Sequence, residues 1–235
     1  MTQVSGPLAL VGSGEYLPVM RSLEGQLLEN RHGPYVQIAT AAVPDGTDTL
    51  TYWHELGATQ AHALGREQVV ATALSHDHAN DEELAASVRG ASLIYLSGGH
   101  PDFLADTLRG TKLWAAIEAE WRSGAALAGC SAGAMAMTSW IPSIRNPQKG
   151  TTEGLGLLPH LRVIPHFDAF ARWIPDIVTR YLHGKDPAVS LLGVDENTAI
   201  VGGPNNWTVH GQQSAWLLGE GDRQEFSPGQ TFVTE

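Results

Sequence analysis

Short apolar runs of β-forming residues alternate with helix-forming stretches over more than half of the chain, and this alternation limits the fold more than any other feature. The runs are Pro7 to Val11, Tyr35 to Thr40, Gln68 to Thr72, Ser92 to Leu96 and Ala125 to Ala128. Helix-like stretches lie around Leu17 to Asn30, Thr47 to Leu56, Asp81 to Arg89 and Leu113 to Arg122, and Asp81 with Glu82 and Glu83 marks a helix start carrying negative charge at its positive end. The pattern indicates an α/β fold with a mostly parallel sheet and helices on both faces. After Ser139 it changes to a Pro- and Gly-rich connection, Ile141 to Pro159, then a strand-like Leu161 to Ile164 and a helix from about Ala169 to Leu182. Four last runs, Val189 to Val194, Thr198 to Val201, Trp207 to His210 and Ala215 to Leu218, read as antiparallel additions to the sheet.

A chain of 235 residues with 43% hydrophobic content has enough core for one such domain, spanning 1–235. Met1 to Pro7 lacks the basic and apolar segments of a secretory leader, and no apolar run has the length of a membrane span, so a cytoplasmic location without membrane partners is expected. The single cysteine, Cys130, excludes an internal disulfide and a Cys-pair metal site. A net charge of -11 argues against nucleic acid as a partner.

In an open parallel sheet, ligands bind beyond the carboxyl ends of the strands. The residues there are Gly12-Ser13-Gly14-Glu15, Ser97-Gly98-Gly99-His100, Cys130-Ser131-Ala132, His166 and Asp195-Glu196. Gly129-Cys130-Ser131-Ala132-Gly133 has the GxSxG form of a nucleophile elbow, in which a sharp strand-to-helix turn presents the serine hydroxyl and small neighbours let backbone approach. A serine nucleophile needs a base, and the base needs an acceptor that fixes its tautomer. His166 is the best base and Glu196 the best orienting acid, while the amides of Ala132 and Gly99 supply an oxyanion hole.

These pieces, in this order, resemble peptidase family S51, which holds aspartyl dipeptidase and cyanophycinase on a fold related to class I glutamine amidotransferases, flavodoxin-like in its sheet. The resemblance runs through the turn Ser97 to Gly99, the elbow Gly129 to Ala134, Gly154-Leu155-Gly156-Leu157-Leu158 leading to His166-Phe167, and Gly193 to Ala199. It implies Ser131 as nucleophile, His166 as base and Glu196 as the third member, with no cofactor and no metal. His100-Pro101 and Ile164-Pro165 depart from the cyanophycinase pattern, and Phe170 and Pro175 stand where that pattern has arginines, which counts against cleavage of the cyanophycin polymer. Arg172 and Arg180 remain available for a substrate carboxylate. Glu15, His100 and Trp173 join Arg172 as candidate substrate contacts, Glu15 for an amino group or simply as a carboxylate at a helix start.

Rival assignments stay open at this stage. Cys130 has its own small-x-nucleophile-x-small frame, although a cysteine is more often a small buried hydrophobe. Glu153, the only carboxylate between Ser131 and His166, competes with Glu196, and His210 with Asp195 would complete an α/β-hydrolase order. His76-Asp77-His78 lacks further metal ligands at useful spacing and reads as a solvated loop; Leu17 replaces the third glycine of a dinucleotide fingerprint after Gly12 and Gly14. The function expected is a serine-type peptidase or amide hydrolase acting through an acyl-enzyme on a small aspartyl-containing peptide. Its alternatives are a catalytically silent ligand-binding member of the same fold and an α/β-hydrolase esterase. A homodimer is the expected assembly on general grounds.

Overall fold

In the computed structural model, residues 5–142, 151–171, 189–219 and 223–234 are described. In chain order the elements are β1 (Leu8–Val11), α1 (Arg21–Leu27), β2 (Tyr35–Ile38), α2 (Thr47–Ala63), β3 (Gln68–Val70), α3 (Glu82–Ala86), β4 (Leu93–Leu96), α4 (Pro101–Leu108), α5 (Lys112–Arg122), β5 (Ala126–Cys130) and α6 (Ala132–Ala136). They are followed by β6 (Trp140–Pro142), β7 (Thr151–Glu153), β8 (Leu161–Pro165), α7 (Phe167–Ala171), β9 (Ser190–Val194), β10 (Thr198–Gly202), β11 (Asn206–Gly211), β12 (Ala215–Leu218), β13 (Arg223–Phe226) and β14 (Thr231–Val233).

The main sheet has eight strands in the order β14-β11-β10-β1-β5-β4-β2-β3. Strands β1, β5, β4, β2 and β3 run parallel, and β10, β11 and β14 extend the sheet antiparallel beyond β1. The parallel strands are short and apolar because helices cover both of their faces. Alternate residues divide between two cores: Leu8, Leu10, Val36, Ile38, Ile94, Leu96 and Leu127 pack with Leu104 and Leu108 of α4 and Leu113 and Ile117 of α5. Ala9, Val11, Tyr35, Leu93, Tyr95, Ala126, Ala128 and Cys130 pack on the other side with Leu23 and Leu27 of α1 and Ala61 of α2. Asp81 caps α3, accepting from Glu83 N at 2.7 Å and Leu84 N at 3.0 Å.

Two features differ from the sequence expectation. Of the four C-terminal runs, β10 and β11 join the main sheet, whereas β9 and β12 belong to a separate four-stranded sheet, β13-β12-β9-β8, in which β8 and β9 are parallel. Helix α4 directly follows the GlyGly turn, where no helix was expected; Pro101 at its first position, Asp102 in its first turn and the Leu104/Leu108 pair are the signals for it. The expected helix Ala169 to Leu182 overlaps α7, and its remainder lies outside the described residues. Among the described residues no helix is long and apolar enough to cross a membrane.

Candidate active site

Ser131 sits where β5 ends and α6 begins. A Cβ on Gly129 would lie 2.6 Å from the carbonyl carbon of Gly133, and one on Gly133 would lie 2.4 Å from the Leu96 carbonyl oxygen. The two glycines thus let the helix start against the ends of β4 and β5 at backbone distance. Ser131 takes φ 48° and ψ -106°, a region whose occupation by an L side chain costs on the order of 1–3 kcal/mol. It is pinned on both sides, since its amide donates to Val11 O at 2.9 Å and its carbonyl accepts from Met135 N at 3.1 Å.

The Ser131 hydroxyl lies 3.0 Å from His166 Nε2, and His166 Nδ1 lies 3.0 Å from Glu196 Oε1. The register of the second sheet explains the meeting. Parallel strands β8 and β9 align Pro165 with Val194, so the residues just past each strand end, His166 and Glu196, emerge side by side. His166 adopts φ 51°, which turns the chain sharply after β8. Solvent still reaches the pair, with 32% of the imidazole and 44% of the carboxylate side chain exposed, so a substrate can approach.

Glu196 is anchored by its backbone. Its amide donates to Asp168 Oδ1 at 2.9 Å, and its carbonyl accepts from Gln213 Nε2 at 3.1 Å; Gln213 also donates to Asp168 Oδ2 at 3.1 Å. Neither Asp168 nor Gln213 was among the residues expected from sequence. Asp168 has a signal, a carboxylate two residues after His166 in the first turn of α7; Gln213, in a loop, has none.

The Ser97 to Gly99 turn follows β4 and faces the elbow, with a Cβ on Gly98 reaching 3.5 Å from Ser131 Cβ. Gly99 has φ 136° and presses on the Ala41 carbonyl, where a Cβ would stand 2.4 Å from the oxygen, so only glycine fits. The amides of Gly99 and Ala132 donate to no acceptor among the described residues, whereas the Gly98 amide donates to Glu15 Oε1 at 2.9 Å. The two uncommitted N–H groups flank a serine whose hydroxyl is aligned with an imidazole and a carboxylate, an arrangement able to run acyl transfer.

Glu15 is buried, and its second oxygen accepts from Cys130 Sγ at 2.7 Å. Cys130 is fully buried on the opposite face of β5 from Leu127, and burial followed by the adjacent Glu15 carboxylate pushes its thiol well above the ordinary range. His100 is exposed beside the turn and pairs with Asp45 at 2.9 Å. Glu153 lies on β7 with its side chain 77% exposed, its carboxylate 3.9 Å from Arg109. His210 lies on β11 opposite Ala199, and the Asp195 carboxylate is taken by Ser214 N at 3.1 Å and Trp216 Nε1 at 3.0 Å. His78 Nδ1 accepts from Leu74 N at 3.1 Å, and no group of three or more potential metal ligands occurs among the described residues. Arg172, Trp173, Pro175 and Arg180 lie outside the described residues.

The sequence model of peptidase family S51 matches residues 9–206, which contain every one of these strand ends. The chain belongs to peptidase family S51. In fold and sequence this S51 peptidase is similar to a peptidase from an acI-B1 actinobacterium, at 38% identity over 99% of this chain and 98% of that one, with a TM-score of 0.89. It also shares its fold with a protein of Listeria monocytogenes EGD-e that carries the provisional name peptidase E, at 20% identity over 89% of this chain and 100% of the other, TM-score 0.63. Among curated proteins none matches the chain.

Proposed function

We propose that this S51 peptidase is a serine peptidase that cleaves a small aspartyl-containing peptide through an acyl-enzyme. The observation that carries the serine reading is the relay of two 3.0 Å contacts from Ser131 Oγ through His166 to Glu196 Oε1. In the first step His166 Nε2 takes the hydroxyl proton as Ser131 Oγ bonds to the scissile carbonyl carbon. The resulting oxyanion accepts from the Gly99 and Ala132 amides, donors that have no other partner among the described residues. Collapse breaks the C–N bond, and the leaving amine takes the proton from His166. Water then attacks the ester with His166 again as base, and Ser131 recovers its proton. Glu196 accepts from the Nδ1 side throughout, holding the ring and offsetting its charge.

The aspartyl preference rests on the family's aspartyl dipeptidase and cyanophycinase members and on the ordinary pairing of substrate carboxylates with arginine, for which Arg172 is the candidate. The test is labelling by a fluorophosphonate with peptide mapping, followed by turnover of α- and β-aspartyl dipeptides. Wild type takes the label on Ser131, Ser131→Ala takes none, and aspartyl dipeptides are cleaved ahead of neutral ones. Label that persists in Ser131→Ala and is lost in Cys130→Ala moves the nucleophile by one residue and refutes the assignment; binding of aspartyl dipeptides without turnover refutes the enzyme.

A further inference from the structure

We infer that Glu15 is a positioning residue that holds the oxyanion-binding turn in register with the nucleophile, and that it makes no contact with substrate. The inference rests on the acyl-enzyme reading above. Glu15 follows β1, Gly98 follows β4 and Cys130 ends β5, so one buried side chain ties together three neighbouring strand ends. Its two oxygens divide the work: Oε1 accepts from the Gly98 amide at 2.9 Å, and Oε2 accepts from the thiol of Cys130, the residue before Ser131, at 2.7 Å. Both oxygens are therefore committed inside the protein, and Glu15 is only 9% exposed, which leaves little of it for a substrate ammonium group.

The consequence for chemistry lies in the next residue. With the Gly98 amide tied down and His100 N donating to Ala41 O at 2.7 Å, the Gly99 peptide is fixed on both sides while its own N–H donates to no acceptor among the described residues. An oxyanion donor is effective only when it is aimed before charge develops, because reorientation during the reaction consumes the stabilisation it provides. Tyr16, the neighbour of Glu15, reinforces the same turn through a 2.6 Å hydrogen bond between its hydroxyl and Ser97 Oγ.

The test is the rate of phosphonylation of Ser131 by a fluorophosphonate, separated into kinact and KI. In this reaction Ser131 Oγ bonds to phosphorus, the P–F bond breaks, fluoride leaves and the hydroxyl proton passes to His166, while the phosphoryl oxygen takes the oxyanion position. Glu15→Ala is expected to lower kinact by about 10²-fold, the effect of losing one oxyanion donor, with KI changed less than about threefold and near-UV dichroism unchanged. Glu15→Gln keeps an amide oxygen for the Gly98 N–H and is expected to retain kinact within about fivefold. Should Glu15→Ala fail to fold, Glu15→Asp carries the test, because a carboxylate shorter by one methylene cannot reach both partners and the same loss is expected. Folded Ala or Asp variants that react at the wild-type rate overturn the inference. So does a Gln variant as slow as Ala, since charge rather than hydrogen-bond acceptance would then be at work. A wild type unlabelled at Ser131 removes the serine reading and this inference with it, whereas a labelled wild type with indifferent Glu15 variants removes the inference alone.

Discussion

Glu24 on α1 is a buried carboxylate outside the site, and it makes the stability of the fold depend on pH in an unusual direction. It is 1% exposed, its Oε2 accepting from the Tyr35 hydroxyl at 2.9 Å. Burial, opposed in part by the Tyr35 hydrogen bond, raises its carboxyl from 4.5 to about 7. The folded value exceeds the unfolded one, so the contribution of Glu24 is fully present below pH 4.5 and is lost as pH rises to about 7. At about 1.4 kcal/mol per pH unit, that interval corresponds to about 3 kcal/mol. Glu24→Gln replaces the acid by a neutral group of the same shape and removes the penalty. The measurement is the free energy of unfolding in urea for wild type and variant at several values between pH 4.5 and pH 8.5. The difference in favour of the variant should grow by about 3 kcal/mol across the series and level off above pH 7. Taking the difference cancels every other titrating group common to both proteins. A difference that stays flat within about 0.5 kcal/mol would falsify the reasoning, because Glu24 would then be ionised in the fold at little cost.

Two further outcomes follow from the site. Glu196→Gln should lower kcat by ~10²-fold or more through loss of the charge that offsets the imidazolium, while Glu153→Gln, whose carboxylate is 77% exposed and paired with Arg109, should stay within about twofold in the same assay. Gly129→Ala should cost about 3 kcal/mol of stability, the upper range for overpacking, because the new Cβ meets the Gly133 backbone at 2.6 Å and backbone cannot swing aside. Thermal unfolding reads it as a fall in Tm of roughly 10 °C, and an unchanged Tm refutes the close approach on which the elbow depends.

The parallel half of the fold was legible because each of its strands is a short apolar run bounded by helix or turn signals. The boundaries moved by one or two residues at most strands, as at Tyr35 to Thr40, which ends as a strand at Ile38. Which sheet a C-terminal strand joins was not legible. Runs such as Val189 to Val194 and Thr198 to Val201 carry the same apolar pattern, yet the first pairs with β8 and β12 and the second with β1 and β11. Pairing is decided by contacts distant in sequence, to which a local pattern is blind. Helix α4 was missed for the opposite reason: its eight residues are too few for periodicity to show, and only the Pro101 start and the Leu104/Leu108 pair mark it.

Within the candidate site, Ser131, His166 and Glu196 could be singled out from sequence because strand ends are where a parallel sheet gathers its ligands, and each of the three follows a strand. What holds them there could not be. Ser131, His166, Asn197 and Tyr16 all have positive φ although none is glycine, with values of 48°, 51°, 52° and 64°. Histidine and asparagine enter this region more often than other non-glycine residues, yet all four types are far commoner in ordinary conformations, so the residue types alone do not announce it. At about 1–3 kcal/mol apiece, such strain persists only where surrounding structure over-determines it. Here the over-determination is visible: Ser131 is pinned by Val11 and Met135, Tyr16 by Ser97, and Asn197 by Ser13 at its amide and by Gln212 at its carbonyl. Apart from the Ser131–Met135 bond, which opens α6, each of these bonds ties a strained residue to another part of the chain, so the main sheet's two buried cores underwrite a geometry that the local sequence would not adopt alone. Loosening one such tie should therefore disturb reactivity before it disturbs the fold, and that is why the Glu15 variants are to be read by kinact rather than by Tm.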